Sequence, residues 1–115
     1  MGSMTLSEKR RYFTRQLARL LVYGMEHDFE IALDFAKRSK EEQKRLVEAG
    51  LSQTMKSKHV EGLAVDLLLY DGSSYLVDPK AYAPLGAYWV SLDPKNVWGG
   101  NWHSIKDYGH FEYAG

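Results

Sequence analysis

Apolar positions divide the first half of the chain into a helix, a short strand and a second helix. Between residues 6 and 21 they recur every three or four positions, as on the buried stripe of an amphipathic helix, and we expect Ser7 to cap it. The pattern ends at Gly24. Alternation over residues 29–33 then predicts a brief strand, and a Ser-x-x-Glu capping box opens a second helix over residues 39–50.

The second half of the chain is richer in strand patterns. A largely apolar run over residues 63–70 predicts a buried strand, which an Asp-Gly turn connects to a hairpin partner at 75–77. Rough helical spacing over residues 78–92, with a proline suited to the first turn, predicts another helix. A glycine-rich aromatic loop at 98–102 precedes a terminal strand at 110–113. Helices and strands together place the chain in the α+β class.

Composition narrows the classes of partner and site. The 115 residues carry 15 basic and 15 acidic side chains, so the broad positive surface of a nucleic-acid-binding protein is not expected. Without cysteine, a metal would have to be held by imidazole and carboxylate groups. We expect no membrane span and no secretory signal. Residues 1–3 resemble a cloning remnant, which leaves residues 4–115 as one domain that we expect to be a monomer.

Two polar clusters interrupt the apolar strand patterns. Asp66 lies inside the run 63–70, where a buried carboxylate is costly unless it is paired, hydrogen-bonded or bound to a metal. An Asp that faces solvent on a half-exposed strand is an equally good interpretation of this segment alone. Asp107 precedes His110 by three residues at the entry to the terminal strand. A carboxylate and an imidazole so placed suit metal-dependent hydrolysis, which needs N or O ligands and a separate proton acceptor.

These motifs resemble those of a known family, the zinc D-Ala-D-Ala metallopeptidases and the phage L-alanyl-D-glutamate endolysins of the hedgehog/DD-peptidase fold. The family's closing pattern, an acid three residues before a His, matches Asp107 and His110, and a neighbouring Gly-Gly-x-Trp matches residues 99–102. Its first metal motif is matched with every spacing intact by Ser57, His59, Gly62, Ala64 and Asp66.

The resemblance implies a site for one zinc ion. By this resemblance His59, Asp66 and His110 are the zinc ligands, and Asp107 is the general acid and base. Arg38 is implied, less firmly, to stabilise negative charge on the scissile carbonyl, with an exposed arginine beside a helix cap as the alternative. Four residues are candidates for substrate contact, each with an alternative role in a loop, on the surface or in the core: Ser57, Gln43, Trp102 and His103.

The resemblance also implies a fold and a function. Two N-terminal helices would pack on a small, mainly antiparallel sheet, with the zinc in an open groove across it. The expected activity is hydrolysis of the peptide part of bacterial peptidoglycan, at the L-Ala-D-Glu bond, by a phage endolysin that stays in the host cytoplasm until lysis and then reaches the cell wall. A D-Ala-D-Ala carboxypeptidase or dipeptidase and a zinc-stabilised binding domain remain alternatives, although Asp107 is not needed for metal binding alone.

Overall fold

A computed structural model describes residues 3–34, 58–103 and 106–115, with the backbone but not the side chain of His59. The predicted second helix, at 39–50, lies outside these residues. The first helix, α1, spans Leu6–Glu26, and the two other described helices are α2 (Lys58–Glu61) and α3 (Pro79–Leu92). None of the helices described is long and apolar enough to cross a membrane.

The start of α1 corrects one detail of the sequence analysis. Thr5, not Ser7, is the N-cap, because its hydroxyl accepts a hydrogen bond from the Glu8 amide at 3.1 Å. The Glu8 carboxylate accepts one in return from the Thr5 amide at 3.2 Å, which completes a capping box. The helix also continues past Gly24, where a side chain would meet Ile31 of the following strand at 2.5 Å.

Five described strands form one antiparallel sheet in which β2 and β5 are neighbours near the centre. The order is β1-β2-β5-β4, and β3 pairs with the outer end of β2. The strands predicted at 29–33, 63–70 and 110–113 are confirmed, whereas the hairpin partner predicted at 75–77 is the shorter strand 74–75. The three-residue β4 was not predicted because it runs straight into the glycine-rich loop. The strands are β1 (Glu30–Leu33), β2 (Ala64–Asp71), β3 (Ser74–Tyr75), β4 (Asn96–Trp98) and β5 (His110–Tyr113).

Both long helices contribute to a core on one face of this sheet. The predicted helix at 78–92 is confirmed as α3, with Asp78 as N-cap and an exposed Pro84. The ring of Trp89 on α3 meets Phe13 of α1 and Phe111 of β5 edge to face, at centroid distances of 5.7 and 6.2 Å. Large side chains that are fully buried in this core include Leu20, Leu63, Leu67, Leu69, Leu85, Trp89 and Phe111.

Strand alternation separates this core from a polar face. Successive side chains of a strand point to opposite faces, so Val65 and Phe111 point toward the helices while their neighbours Asp66 and His110 point away. The register pairs Val65 with Phe111 and Asp66 with His110. The residues with candidate chemistry therefore lie on the face opposite the core, at the centre of the sheet.

Candidate metal centre and its groove

The centre of the polar face is a cross-strand pair of a carboxylate and an imidazole. Asp66 on β2 is the direct antiparallel partner of His110 on β5, so their side chains start about 4.5–5.5 Å apart on the same face. The Nδ1 atom of His110 lies 3.3 Å from the Oδ1 atom of Asp66. The sequence analysis singled out both residues, and the strand register brings them together although 44 positions separate them in the chain.

The imidazole of His110 is enclosed on several sides. Only 5% of the residue is exposed, its Nε2 atom lies 2.7 Å from Oε1 of Glu112, and the Trp102 ring packs beside it at 4.8 Å between centroids. Burial lowers the pKa of His110, but hydrogen bonds to Asp66 and Glu112 and their negative charges outweigh burial and raise the pKa from 6.5 to about 9. The surroundings therefore favour positive charge at this position.

Asp107 reaches the same centre from the turn before β5. Its amide donates to the carbonyl of Gly99 at 3.1 Å, and its carbonyl accepts from the amide of His110 at 3.2 Å. A side chain on Gly99 would collide with the Asp107 carbonyl, so the glycine permits this close approach. One potential ligand atom from each of Asp66, Asp107 and His110 lies within 4.8 Å of the others.

The geometry of these groups fits a small divalent cation. Ligands about 2.0–2.2 Å from a tetrahedral zinc lie about 3.3–3.6 Å from one another, and the Asp66 and His110 atoms are separated by 3.3 Å. Imidazole nitrogen and carboxylate oxygen are both ordinary ligands of zinc. The negative charge that favours a protonated His110 also favours a metal ion, because a cation at Nδ1 would lie next to Asp66, with Asp107 close by.

The short helix α2, which carries His59, is held close to the start of β2. Gly62 ends it with a positive φ of 77°, and the Leu63 amide donates to the Lys58 carbonyl at 2.8 Å. Arg10 of α1 donates from Nε to the Glu61 carbonyl at 2.6 Å, which satisfies a group at the helix end. The structure does not describe the side chain of His59, so its role as a ligand stays a prediction.

Other predicted site residues fall into two groups. Trp102 lies against His110, while His103 is exposed, and a role for either in substrate contact stays a prediction. Arg38, Gln43 and Ser57 lie outside the described residues.

An open groove of about 380 Å³ runs from the polar centre toward the β2–β3 hairpin. Its lining includes the charged residues Asp66, Lys106 and Asp107 and, from the β2–β3 hairpin and the segment after it, Tyr75 and Val77. Tyr75 and Val77 are 51% and 75% exposed, so this wall is open to a ligand. An extended chain with polar and apolar groups matches such a groove.

Sequence analysis missed Glu112, which contacts His110 in the structure. The signal for it was available, because residues two apart on a strand share a face and the predicted strand 110–113 contains His110 and Glu112. The cross-strand partner of Glu112 on β2 is Ala64, which is small and buried.

Comparison with known proteins bears directly on these motifs. A family model described as D-alanyl-D-alanine carboxypeptidase matches residues 50–113, more than half of the chain, and this range includes both metal motifs. The chain belongs to the D-alanyl-D-alanine carboxypeptidase family. The resemblance inferred from the spacing of the motifs is thereby confirmed.

Two relatives of this carboxypeptidase-family chain carry a different activity in their names. An L-alanyl-D-glutamate peptidase of Listeria phage A118 is 33% identical over 104 residues, which are 87% of this chain but 36% of the relative. The chain thus spans about a third of that relative's length. The crystal structure of an L-Ala D-Glu endopeptidase, ChiX, from Serratia marcescens matches 90% of this chain and 78% of its own, with a TM-score of 0.77 and 26% identity. The predicted α+β fold is confirmed by this match.

Proposed function

We propose that this chain is a zinc-dependent peptidase domain that hydrolyses the L-Ala-D-Glu bond in the stem peptide of peptidoglycan. One observation carries the proposal: Asp66, His110 and Asp107 converge within 4.8 Å at the end of an open groove, in a member of a peptidase family. A buried imidazole beside a partly buried carboxylate is costly to assemble, and a hydrolytic metal site is a purpose for which this set is suited.

The proposed ligands of a single zinc ion are His59, Asp66 and His110. The 3.3 Å separation of the Asp66 and His110 atoms supports the choice of these two, and the tether of α2 to the start of β2 supports His59 as the third. A zinc ion held there would supply a Lewis acid and lower the pKa of water enough for hydrolysis near neutral pH.

Asp107 is proposed as the group that moves protons. Its side chain is exposed toward the groove, unlike the buried His110, so it can meet both an attacking water and a leaving amine. A carboxylate oxygen of Asp107 would take the proton from water and return it to the amine nitrogen when the peptide bond breaks. This role requires Asp107 to remain close to the metal without being one of its ligands.

The remaining predicted residues are proposed to hold the substrate. Arg38 would stabilise negative charge on the scissile carbonyl oxygen, a task that suits a guanidinium. Trp102 beside His110, together with His103, Ser57 and Gln43, would contact the stem peptide near the scissile bond. The apolar wall at Tyr75 and Val77 would receive apolar parts of the same peptide.

The names of the two relatives support the L-Ala-D-Glu bond as the scissile bond. The name of the matched family supports a second candidate, release of D-Ala from the end of the stem peptide. The phage relative further supports the role of a phage lysin, held in the host cytoplasm until lysis and then acting on the cell wall.

Digestion of purified peptidoglycan tests the proposal. Zinc-loaded protein should generate new D-Glu amino termini, detected by labelling and mass analysis of the soluble fragments, and excess chelator should abolish them. Release of free D-Ala without new D-Glu termini would favour the second candidate. Stoichiometric zinc binding without cleavage of any bond would instead favour a zinc-stabilised binding domain.

A further inference from the structure

The carboxylate of Glu112 makes a short polar contact to the imidazole of His110. Its Oε1 atom lies 2.7 Å from Nε2, against 3.3 Å between Nδ1 and Asp66 on the other side of the ring. Both contacts are shielded, because the side chains of Glu112 and His110 are 16% and 7% exposed. The ring is thus held between two carboxylates that meet different nitrogen atoms.

The two nitrogen atoms of the His110 ring have different tasks if it binds a metal. An ionised carboxylate can only accept hydrogen bonds, so Glu112 favours the tautomer that carries its proton on Nε2. That tautomer leaves the lone pair of Nδ1 available on the side of Asp66. A histidine that binds a metal commonly donates its other N–H to a carboxylate in this way.

The backbone of Glu112 is fixed from three directions. It lies on β5 between two neighbouring strands, opposite Ala64 of β2 and Val97 of β4. Its carbonyl accepts a hydrogen bond at 3.0 Å from the indole Nε1 of the buried Trp89. Ala64 is small, which leaves room for the Glu112 side chain to lie along the face toward His110. The carboxylate therefore starts from a rigid position in the sheet.

We propose that Glu112 is a positioning residue that fixes the His110 ring as the Nε2-protonated tautomer and presents Nδ1 to the metal beside Asp66. The inference deepens the proposed function and rests on its assignment of His110 as a ligand. Glu112 would act through His110 and would not touch the substrate.

Metal affinity measured on the full chain separates this role from a general contribution to the sheet. Glu112→Ala should weaken zinc binding roughly 10- to 100-fold in competition with a chromophoric chelator. Glu112→Gln should lose less, because its amide oxygen can still accept from Nε2–H. Glu30→Ala, the same change at an exposed position on β1, should leave zinc affinity unchanged.

A spectroscopic readout tests the tautomer itself. Nitrogen-15 NMR of the zinc-loaded wild type should show a proton on Nε2 of His110 and a metal-shifted Nδ1, and the Nε2 signal should move in Glu112→Gln. A metal-shifted Nε2 in the wild type would overturn the inference. Unchanged zinc affinity in both Glu112 variants would also overturn it.

The outcomes distinguish the inference from the function on which it rests. A wild-type chain that binds no zinc would overturn both. A wild-type chain that binds zinc but cuts no peptidoglycan would overturn the proposed peptidase, while the effect of Glu112 on affinity would still support its positioning role. A wild type that binds zinc and cuts peptidoglycan, with the Glu112 variants unchanged, would overturn the inference alone.

Discussion

The two faces of the β2–β5 ladder are made from alternate residues of the same strands, yet they do different work. On one face, Val65 and Phe111 are fully buried against the helices. On the other, their immediate neighbours Asp66 and His110 form the polar centre. The apolar face makes the sheet rigid, and the polar face uses that rigidity to hold charged groups at a fixed separation.

Strand register connects the two faces. A slip of one residue would turn Phe111 toward the groove and His110 toward the core, so the apolar face strongly favours the register in which Asp66 meets His110. The same packing that stabilises the fold therefore also sets the geometry of the candidate metal centre. Variants on either face should separate these two contributions.

Removal of the Phe111 side chain should have the largest effect on stability. The ring is fully buried against Trp89, so Phe111→Ala should lower the free energy of unfolding by about 3–5 kcal/mol, measured by urea denaturation of chelator-treated protein. Phe111→Leu is the control and should lose less. If Phe111→Ala remained as stable as the wild type, the account of the apolar face would be wrong.

On the polar face, Asp107→Asn should separate catalytic activity from zinc binding. The amide cannot accept a proton at neutral pH, so peptidoglycan hydrolysis should fall roughly 10²- to 10⁴-fold while zinc stoichiometry is kept. His59→Ala and His110→Ala should lose both zinc and activity. Loss of zinc in Asp107→Asn, measured by metal analysis after dialysis, would make Asp107 a ligand instead of the proton carrier.

Gly99 tests how closely the turn before β5 must approach the sheet. Its added side chain would meet the Asp107 carbonyl, so Gly99→Ala should displace Asp107 and reduce activity by up to roughly 10²-fold. Gly24→Ala is the control, since it crowds Ile31 on the helix side of the molecule. Both variants should lose about 1–3 kcal/mol of stability, but only Gly99→Ala should lose activity strongly. A comparable loss of activity in both would show that Gly99 has no specific role in placing Asp107.

The elements with regular apolar spacing were predictable from sequence, and so were the two strands that carry the centre. The family resemblance singled out Asp66, Asp107 and His110, and the structure brings potential ligand atoms of these three residues within 4.8 Å of one another. The contact between Glu112 and His110 was not predicted, because a contact between side chains depends on their conformations as well as on the face they share. The strand β4 was missed because three residues carry too little periodicity to predict.

The cap of α1 provides a smaller test on the helix side alone. Thr5→Ala should cost about 1 kcal/mol, whereas Ser7→Ala should cost little, because the Thr5 hydroxyl receives the Glu8 amide. Zinc affinity should stay the same in both variants, as the cap lies on the helix that covers the apolar face. A larger loss in Ser7→Ala, measured by urea denaturation, would restore Ser7 as the cap.

The smallest expected effect is the pH dependence that this cap adds to stability. Two hydrogen bonds to the Glu8 carboxylate lower its pKa below the ordinary value of 4.5. The stronger effect comes from the Thr5 backbone amide and the weaker one from the Thr5 hydroxyl. Near and below pH 4.5 the unfolded chain binds a proton at Glu8 more readily than the folded chain does. The stability that the ionised Glu8 contributes is therefore fully present above pH 4.5 and is lost as the pH falls through the lowered pKa. Glu8→Gln cannot titrate, so the difference in urea midpoint between wild type and variant should shrink on acidification. A difference that stayed constant across this range would mean that Glu8 has the same pKa in the folded and unfolded chains, and that the cap acts through its neutral hydrogen bonds alone.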